Sequence, residues 1–411
     1  MQAILGIVAI LGLCFALSRD RTQIQWRFIV IGFLIQAGLA VLLIKVAWIA
    51  ESLLVFNYLV TAIEQATLVG TQFMFGFLGG AEAPFEPKPG ISLYLFAFRV
   101  LPQILVFSVV VAIFWHWGVL PLIVRLLGGL LRRGLNISGV LGTAAASSLF
   151  LGMVEAPLVI RGYLKSMTPS EFFTVMTCGM STIAGVVMVL YAAILKDILV
   201  NPVGQLLAAS LINVIGAIYL SRLLMPAAVT DNANDTPKLS LQYASFMDAI
   251  TRGTSDGLTL AMHIGAMLLV LSSLVALANG ILGQVTLFDV PLSLEYLTGL
   301  VFAPIAWLIG IPWQEAQAAG SIMGTKIILN EMIAFIQMAN EPDLTANSQI
   351  IMTYVLCGFA NIGSLGILIG GLSVLVPERR DELLQVAPLS IVSGTLVTLM
   401  SGAIVSIVIQ I

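Results

Sequence analysis

Charge is what this sequence has least of. Of its 411 residues only 9% are Asp, Glu, Lys or Arg, against a hydrophobic share of 59%. Soluble domains carry about 25% charged residues, so a soluble globular fold is excluded and a chain of many membrane helices is implied. The 18 basic residues are outnumbered by 21 acidic ones, and a net charge of −3 leaves no polybasic surface for nucleic acid. Cysteine is scarce. Cys14, Cys178 and Cys357 all lie in apolar stretches, an odd number without CxxC spacing, which supports neither a disulfide framework nor a zinc site. Histidine is scarcer still: His116 and His263 are too few and too far apart in sequence for metal chemistry, so no metal site is assigned. HExxH, a metal-binding carboxylate cluster and a Ser/His pair are all missing, which argues against a membrane-embedded hydrolase or lipid transferase. No catalytic residue and no cofactor is expected.

What is present is apolar sequence in lengths that fit a bilayer. Spans are expected at 2–18, 25–47, 92–115, 172–195, 203–225, 262–281, 351–376 and 386–410, each reaching the roughly 20 residues a crossing needs. Residues 2–18 follow no positive n-region and contain no small-residue cleavage site, and are read as a retained span. Three further stretches, 121–133, 137–166 and 292–340, are apolar but carry Gly, Pro and charge where a simple span would avoid them. The first puts Arg125, Arg132 and Arg133 beside an apolar stripe and reads as a helix on the cytoplasmic surface. Its counterpart, Leu292 to Gly310 with Trp307 near its end, reads as one on the outer surface. The polar loop 227–256, with Asp231, Asn232, Asn234, Asp235 and Asp248, links two halves, and Pro377–Glu382 reads as a solvated loop.

Basic residues set the orientation. Arg19, Arg21 and Arg27 follow the first span, and Arg125, Arg132 and Arg133 the third, with Arg161 and Lys165 beyond. Arg222, Lys238 and Arg252 follow the fifth span, and Arg379 and Arg380 the seventh. With both termini outside, all of these face the cytoplasm and only Lys88 and Lys196 face out, as the positive-inside rule requires. The pattern holds only if 137–166 and 292–340 re-enter the membrane without crossing it.

Within 137–166 stands Gly152-Met153-Val154-Glu155-Ala156-Pro157, an acid between Gly and Pro with apolar sequence on both sides. A charged group near a bilayer centre costs about 2.5–3.5 kcal/mol, so Glu155 is read as functional; the bland alternative is a protonated acid that only holds two helices together. Irregular backbone at that depth survives where it lines a cavity. The second such stretch, Gly324 to Phe335, carries Lys326, Asn330 and Glu331. Lys326 and Asn330 at i, i+4 share a helix face, which would satisfy the ammonium within the hairpin. Glu331 either pairs with Lys326 to pin the hairpin or offers its carboxylate to sugar hydroxyls. An internal repeat accompanies the acids. Cys178-Gly179-Met180-Ser181-Thr182-Ile183-Ala184-Gly185 lines up with Cys357-Gly358-Phe359-Ala360-Asn361-Ile362-Gly363-Ser364, Thr182 falling opposite Asn361. Each octet follows one of the acids and three crossings separate them, so the repeats run in opposite directions. Inverted repeats with broken helices mark secondary transporters.

These residues resemble the concentrative nucleoside transporter family along essentially the whole chain. Gly324-x-Lys326-x-x-x-Asn330-Glu331 with Ala334-Phe335 resembles its second-hairpin motif. Gly152-x-x-Glu155-Ala156-Pro157-Leu158 with Arg161 resembles the first-hairpin motif, and Phe359-Ala360-Asn361-x-x-Ser364 that of the seventh span. The resemblance implies an all-α polytopic membrane protein: eight transmembrane helices plus two re-entrant hairpins in inverted repeats, with interfacial helices. It implies a homotrimer in the bacterial inner membrane, importing a nucleoside by an elevator-like motion of a transport region against a scaffold. The corresponding division is 1–133 scaffold, 134–225 first half of the transport region, 226–310 linker with scaffold span six and external helix, and 311–411 second half. Glu331, Asn361 and Ser364, with Phe359 nearby, would face the ribose, and Glu155 and Val187 the base. Met153 and Val154 stand where the family has Gln and Thr or Ser to bond the base, which implies an altered base preference or another small polar solute. Ser148 replaces the family's ion-binding Asn, with Leu151, Thr182 and Ile183 at the other ion positions. That points to proton coupling, with sodium as the alternative.

Overall fold

The structure, a computed structural model, describes residues 1–46, 54–85, 95–226, 237, 239–287 and 290–410. Lys88, Asp231, Asn232, Asn234, Asp235, Lys238 and the first residues of the 92–115 span lie outside the described residues.

The chain opens with α1 (Gln2–Ala16) and α2 (Trp26–Lys45), followed by α3 (Leu54–Phe75). A helical turn at Phe96–Arg99 leads into α4 (Leu101–His116), and α5 (Val119–Leu135) follows. Next come α6 (Gly139–Ser147), α7 (Glu155–Val159), α8 (Pro169–Ser181), α9 (Gly185–Leu195) and α10 (Pro202–Leu224). The long α11 (Phe246–Leu282) precedes a two-residue antiparallel ladder, β1 (Thr286–Leu287) with β2 (Val290–Pro291). The remainder is α12 (Leu294–Leu308), α13 (Trp313–Ile328), α14 (Glu331–Ala339), α15 (Ala346–Leu356), α16 (Ile362–Leu375) and α17 (Arg380–Gln410).

Among the described residues, six helical stretches are long and apolar enough to cross a membrane, and they coincide with or contain six of the expected spans. The other two, 2–18 and 351–376, are the shorter α1 and the split pair α15 and α16. Helix α3 was not among the expected spans, because Thr61, Glu64, Gln65, Thr67, Thr71 and Gln72 dilute its hydropathy. Helix α5 is amphipathic as expected, with Leu122, Leu126 and Leu130 exposed on one stripe and Arg132 and Arg133 in its last turn.

Small residues set the closest helix contacts, as they do where helices associate without a hydrophobic drive. A Cβ on Gly257 of α11 would lie 2.8 Å from Leu105 Cα, and one on Gly253 2.8 Å from Val109 Cα, so α11 lies directly on α4. Gly320 of α13 meets the Gly299 carbonyl in the same way, at 2.7 Å, fixing α12 on α13. The centre is α10, buried along nearly its whole length against α2, α8 and α17. Helices α1 and α2 pack on the α10 and α17 side, whereas α4 pairs with α11. The stretch Pro377–Glu382 is more tied down than a solvated loop. Arg379, with its side chain 10% exposed, donates to the Leu164 and Met167 carbonyls at 2.8 and 2.9 Å, pairs with Glu382 at 2.7 Å and covers the Phe172 ring.

Candidate functional site

Four helix interruptions converge on one cavity. Helix α6 ends at Ser147 and α7 starts at Glu155, leaving 148–154 irregular. Helix α13 ends at Ile328 and α14 starts at Glu331. Between α8 and α9 lie Thr182, Ile183 and Ala184, and between α15 and α16 lie Cys357 to Asn361. Both repeated octets therefore sit on a break, and both acids open a helix just after one.

Each break leaves backbone carbonyls without their i+4 donors, which must be satisfied when buried. Asn213 of α10 serves both octets: its Nδ2 donates to the Ser181 carbonyl at 2.9 Å and to the Cys357 carbonyl at 2.7 Å. Its Oδ1 accepts from Ser401 Oγ, which accepts from Gln36 Nε2 at 3.0 Å, and Tyr219 donates to Gln36 Oε1 at 2.6 Å. All six residues are buried, so the two breaks are held in register by one polar chain reaching from α2 to α17.

The cavity has a volume of about 280 Å³. Its walls include all of the residues assigned from sequence to the substrate: Met153, Val154, Glu155 and Val187 from one half, and Glu331, Phe359, Asn361 and Ser364 from the other. Glu331, 5% exposed, is held on both oxygens. Tyr191 donates to Oε1 at 2.5 Å and Asn361 Nδ2 to Oε2 at 2.9 Å. The asparagines on either side are fixed as helix caps. Asn330 Oδ1 accepts from the Ile333 N–H at 3.0 Å and Asn361 Oδ1 from the Ser364 N–H at 2.7 Å. The result is an oriented carboxylate, with its remaining lone pairs available to donors in the cavity, beside the Phe359 ring. At the other end Glu155 folds back over Gly152, so that a Cβ there would lie 2.2 Å from its Oε2. Val154 packs on Gly371 and Met153 on Gly179, so within 152–155 only Glu155 brings a hydrogen-bonding side chain to the cavity.

The positions assigned to an ion are divided. Leu151 lines the cavity, while Ser148, Thr182 and Ile183 are buried behind it. Ser148 Oγ donates to the Ala145 carbonyl and Thr182 Oγ1 to that of Cys178, both at 2.8 Å. Two expectations for the second hairpin need correction. Lys326 does not bond Asn330, because α13 stops at Ile328 and Asn330 turns to cap α14. It also forms no salt bridge with Glu331: its Nζ donates to the Val355 carbonyl at 2.7 Å and to Thr398 Oγ1 at 3.2 Å.

Sequence reasoning missed the α11 wall. Asp256 and His263 line the cavity although neither lies near the repeats in sequence, and Tyr243 joins them. Asp256 and His263 are seven residues apart, two turns of one helix face, and that spacing of ionisable groups in an apolar helix was the available signal. Asp256 and Glu155 line the same cavity. Tyr191, the partner of Glu331, had no sequence signal of this kind.

Three family models cover most of the chain: "Nucleoside recognition" over residues 97–197, and the N-terminus and C-terminus of "Na+ dependent nucleoside transporter" over 5–78 and 205–406. An uncharacterized transporter of Haemophilus influenzae is 35% identical across 98% of this chain and 96% of its own length. The nucleoside permease NupC of Helicobacter pylori is 34% identical across 98% and 96%. The solved structure of CNTnw in an inward-facing substrate-bound state superposes with a TM-score of 0.90 at 34% identity, covering 99% of this chain and 98% of that one. With identity of this order end to end, the chain belongs to the concentrative nucleoside transporter family, whose members are membrane permeases and not enzymes.

Proposed function

We propose that this protein imports nucleosides across a bacterial inner membrane by proton symport, through an elevator-type movement. The observation that carries the reading is Glu331, held by Tyr191 and Asn361 with its carboxylate at the cavity wall. Ribose is a set of vicinal hydroxyl donors, and an ionised carboxylate is an acceptor-only partner that suits them. Asn361 and Ser364 complete the sugar end, and the Phe359 ring offers a face to sugar or base. Glu155 and Val187 face the base. The broken helices act as the two hairpins and two unwound spans of an inverted repeat, whose tips cover the cavity from opposite sides. Helices α4 and α11 form the core of the scaffold within 1–133 and 226–310, and 134–225 with 311–411 carries the nucleoside past them. The exposed apolar face of α11, including Met262, Leu269, Leu274 and Ile281, faces lipid or the other subunits of a homotrimer. Both termini lie outside, and α5 rests on the cytoplasmic leaflet.

Proton coupling follows from Ser148, whose single hydroxyl is a poorer cation ligand than the family's amide carbonyl. Sodium coupling is the second reading, favoured by the "Na+ dependent" description of the family models and by the hydroxyls of Ser148 and Thr182 at the break. A carrier of another small polar solute is favoured by Met153 and Val154. Competition in one uptake assay by purine nucleosides, pyrimidine nucleosides, free bases and free ribose separates these substrates. Block by nucleosides alone is expected, and equal block by an unrelated polar solute would overturn the reading.

A further inference from the structure

Among the described residues, Lys326 is the only Lys or Arg that is buried, with 2% of its surface exposed. A buried ammonium needs compensation, commonly a carboxylate within salt-bridge distance. The salt bridges among the described residues do not include Lys326, and its hydrogen-bond partners are neutral oxygens. One is the carbonyl of Val355, in the last turn of α15. The N–H four residues on belongs to Phe359, inside the break, so this carbonyl has been released by the interruption. It also lies at the negative end of the α15 dipole. The other is the Thr398 hydroxyl of α17. A helix-end carbonyl and a hydroxyl beside an unwound segment are the ligands that broken helices offer to a monovalent cation.

The first half is built on the same plan without the ammonium. Lys326 stands five residues before Glu331, and five residues before Glu155 stands Phe150. Near the first break the buried side-chain oxygens include those of Ser148, at the C-cap of α6, and Thr182, at the C-cap of α8. One break therefore contains a covalently attached cation, and the other contains hydroxyls.

We propose that Lys326 is a tethered cation, its ammonium permanently filling a monovalent-cation ligand set at the second break, made by the Val355 carbonyl and the Thr398 hydroxyl. Its ammonium leaves the oxygens of Glu331 to Tyr191 and Asn361. The ammonium in a cation's ligand set stands independently of which ion couples transport.

The test is the melting temperature of purified Lys326→Ala and Lys326→Gln in detergent, in choline chloride and in methylammonium chloride. A tethered cation predicts that both variants melt below wild type. Lys326→Ala should recover in methylammonium by roughly 3–5 °C as the free cation saturates the vacated site, while wild type does not respond. Wild-type stability of Lys326→Gln, which keeps a donor without the charge, would overturn the proposal. So would a destabilised Lys326→Ala that gains nothing from methylammonium. Thr398→Val, which removes one ligand and keeps the lysine, provides the folded control and should melt lower than wild type; an unchanged melting temperature would remove the hydroxyl from the ligand set and count against the proposal. The melting readout needs no nucleoside, so its failure is distinct from failure of the transport reading.

Discussion

Glu331→Gln is the substitution that separates a sugar-binding carboxylate from a structural one. The side chains are nearly the same size, and the local frame accommodates the change. The amide oxygen can still accept from Asn361 Nδ2, and the amide nitrogen can face Tyr191, whose hydroxyl is able to accept as well as donate. What is lost is the negative charge, and with it, on the proposed role, the charge assistance to two ribose hydroxyl bonds. Bonds to a charged group contribute about 1.5–3 kcal/mol each and neutral ones about 0.5–1.5 kcal/mol, so two weakened bonds come to about 2–3 kcal/mol. At 1.4 kcal/mol per decade, nucleoside binding should weaken roughly 30- to 140-fold. The assay is equilibrium binding of radiolabelled uridine and adenosine to purified protein, with elution volume and melting temperature as checks on folding. A folded Glu331→Gln protein that binds within a few-fold of wild type would refute the ribose role.

Met153→Gln with Val154→Thr restores hydrogen-bonding groups at almost unchanged volume, and should raise uridine recognition relative to adenosine in competition assays by about tenfold; an unchanged ratio means the base is read elsewhere on the cavity wall. Asn213→Ala leaves the Ser181 and Cys357 carbonyls without their shared donor. At about 1–3 kcal/mol for each buried group left unpaired, it should lower the melting temperature markedly and reduce uptake; wild-type stability would mean the polar chain does not hold the breaks.

The parts of this molecule that were legible in its sequence are those where a residue conflicts with its surroundings. Glu155 and Glu331 stand out because carboxylates are costly among apolar residues, and the octets because Gly, Ser and Asn cluster where a straight helix prefers Leu and Ala. The partners of these residues were not legible. Tyr191 looks like an ordinary span tyrosine until the fold brings it to Glu331, and Asn213 like a lone polar residue until it meets carbonyls from two distant breaks. The Lys326 expectation failed for a local reason. It assumed a continuous helix through Asn330, whereas Asn330 is an N-cap, the one position where Asn is favoured over most residues. Helix α3 was hidden by its own polar residues, and Asp256 and His263 by lying on α11, outside the repeats that drew attention to the site.

The most direct test of the account is uridine and adenosine uptake into proteoliposomes under an inward proton gradient without sodium, and then under an inward sodium gradient without a proton gradient. Concentrative uptake driven by protons alone is the predicted result. Uptake that requires sodium would contradict the proton coupling assigned through Ser148, and folded protein that moves neither nucleoside under either gradient would contradict the central claim.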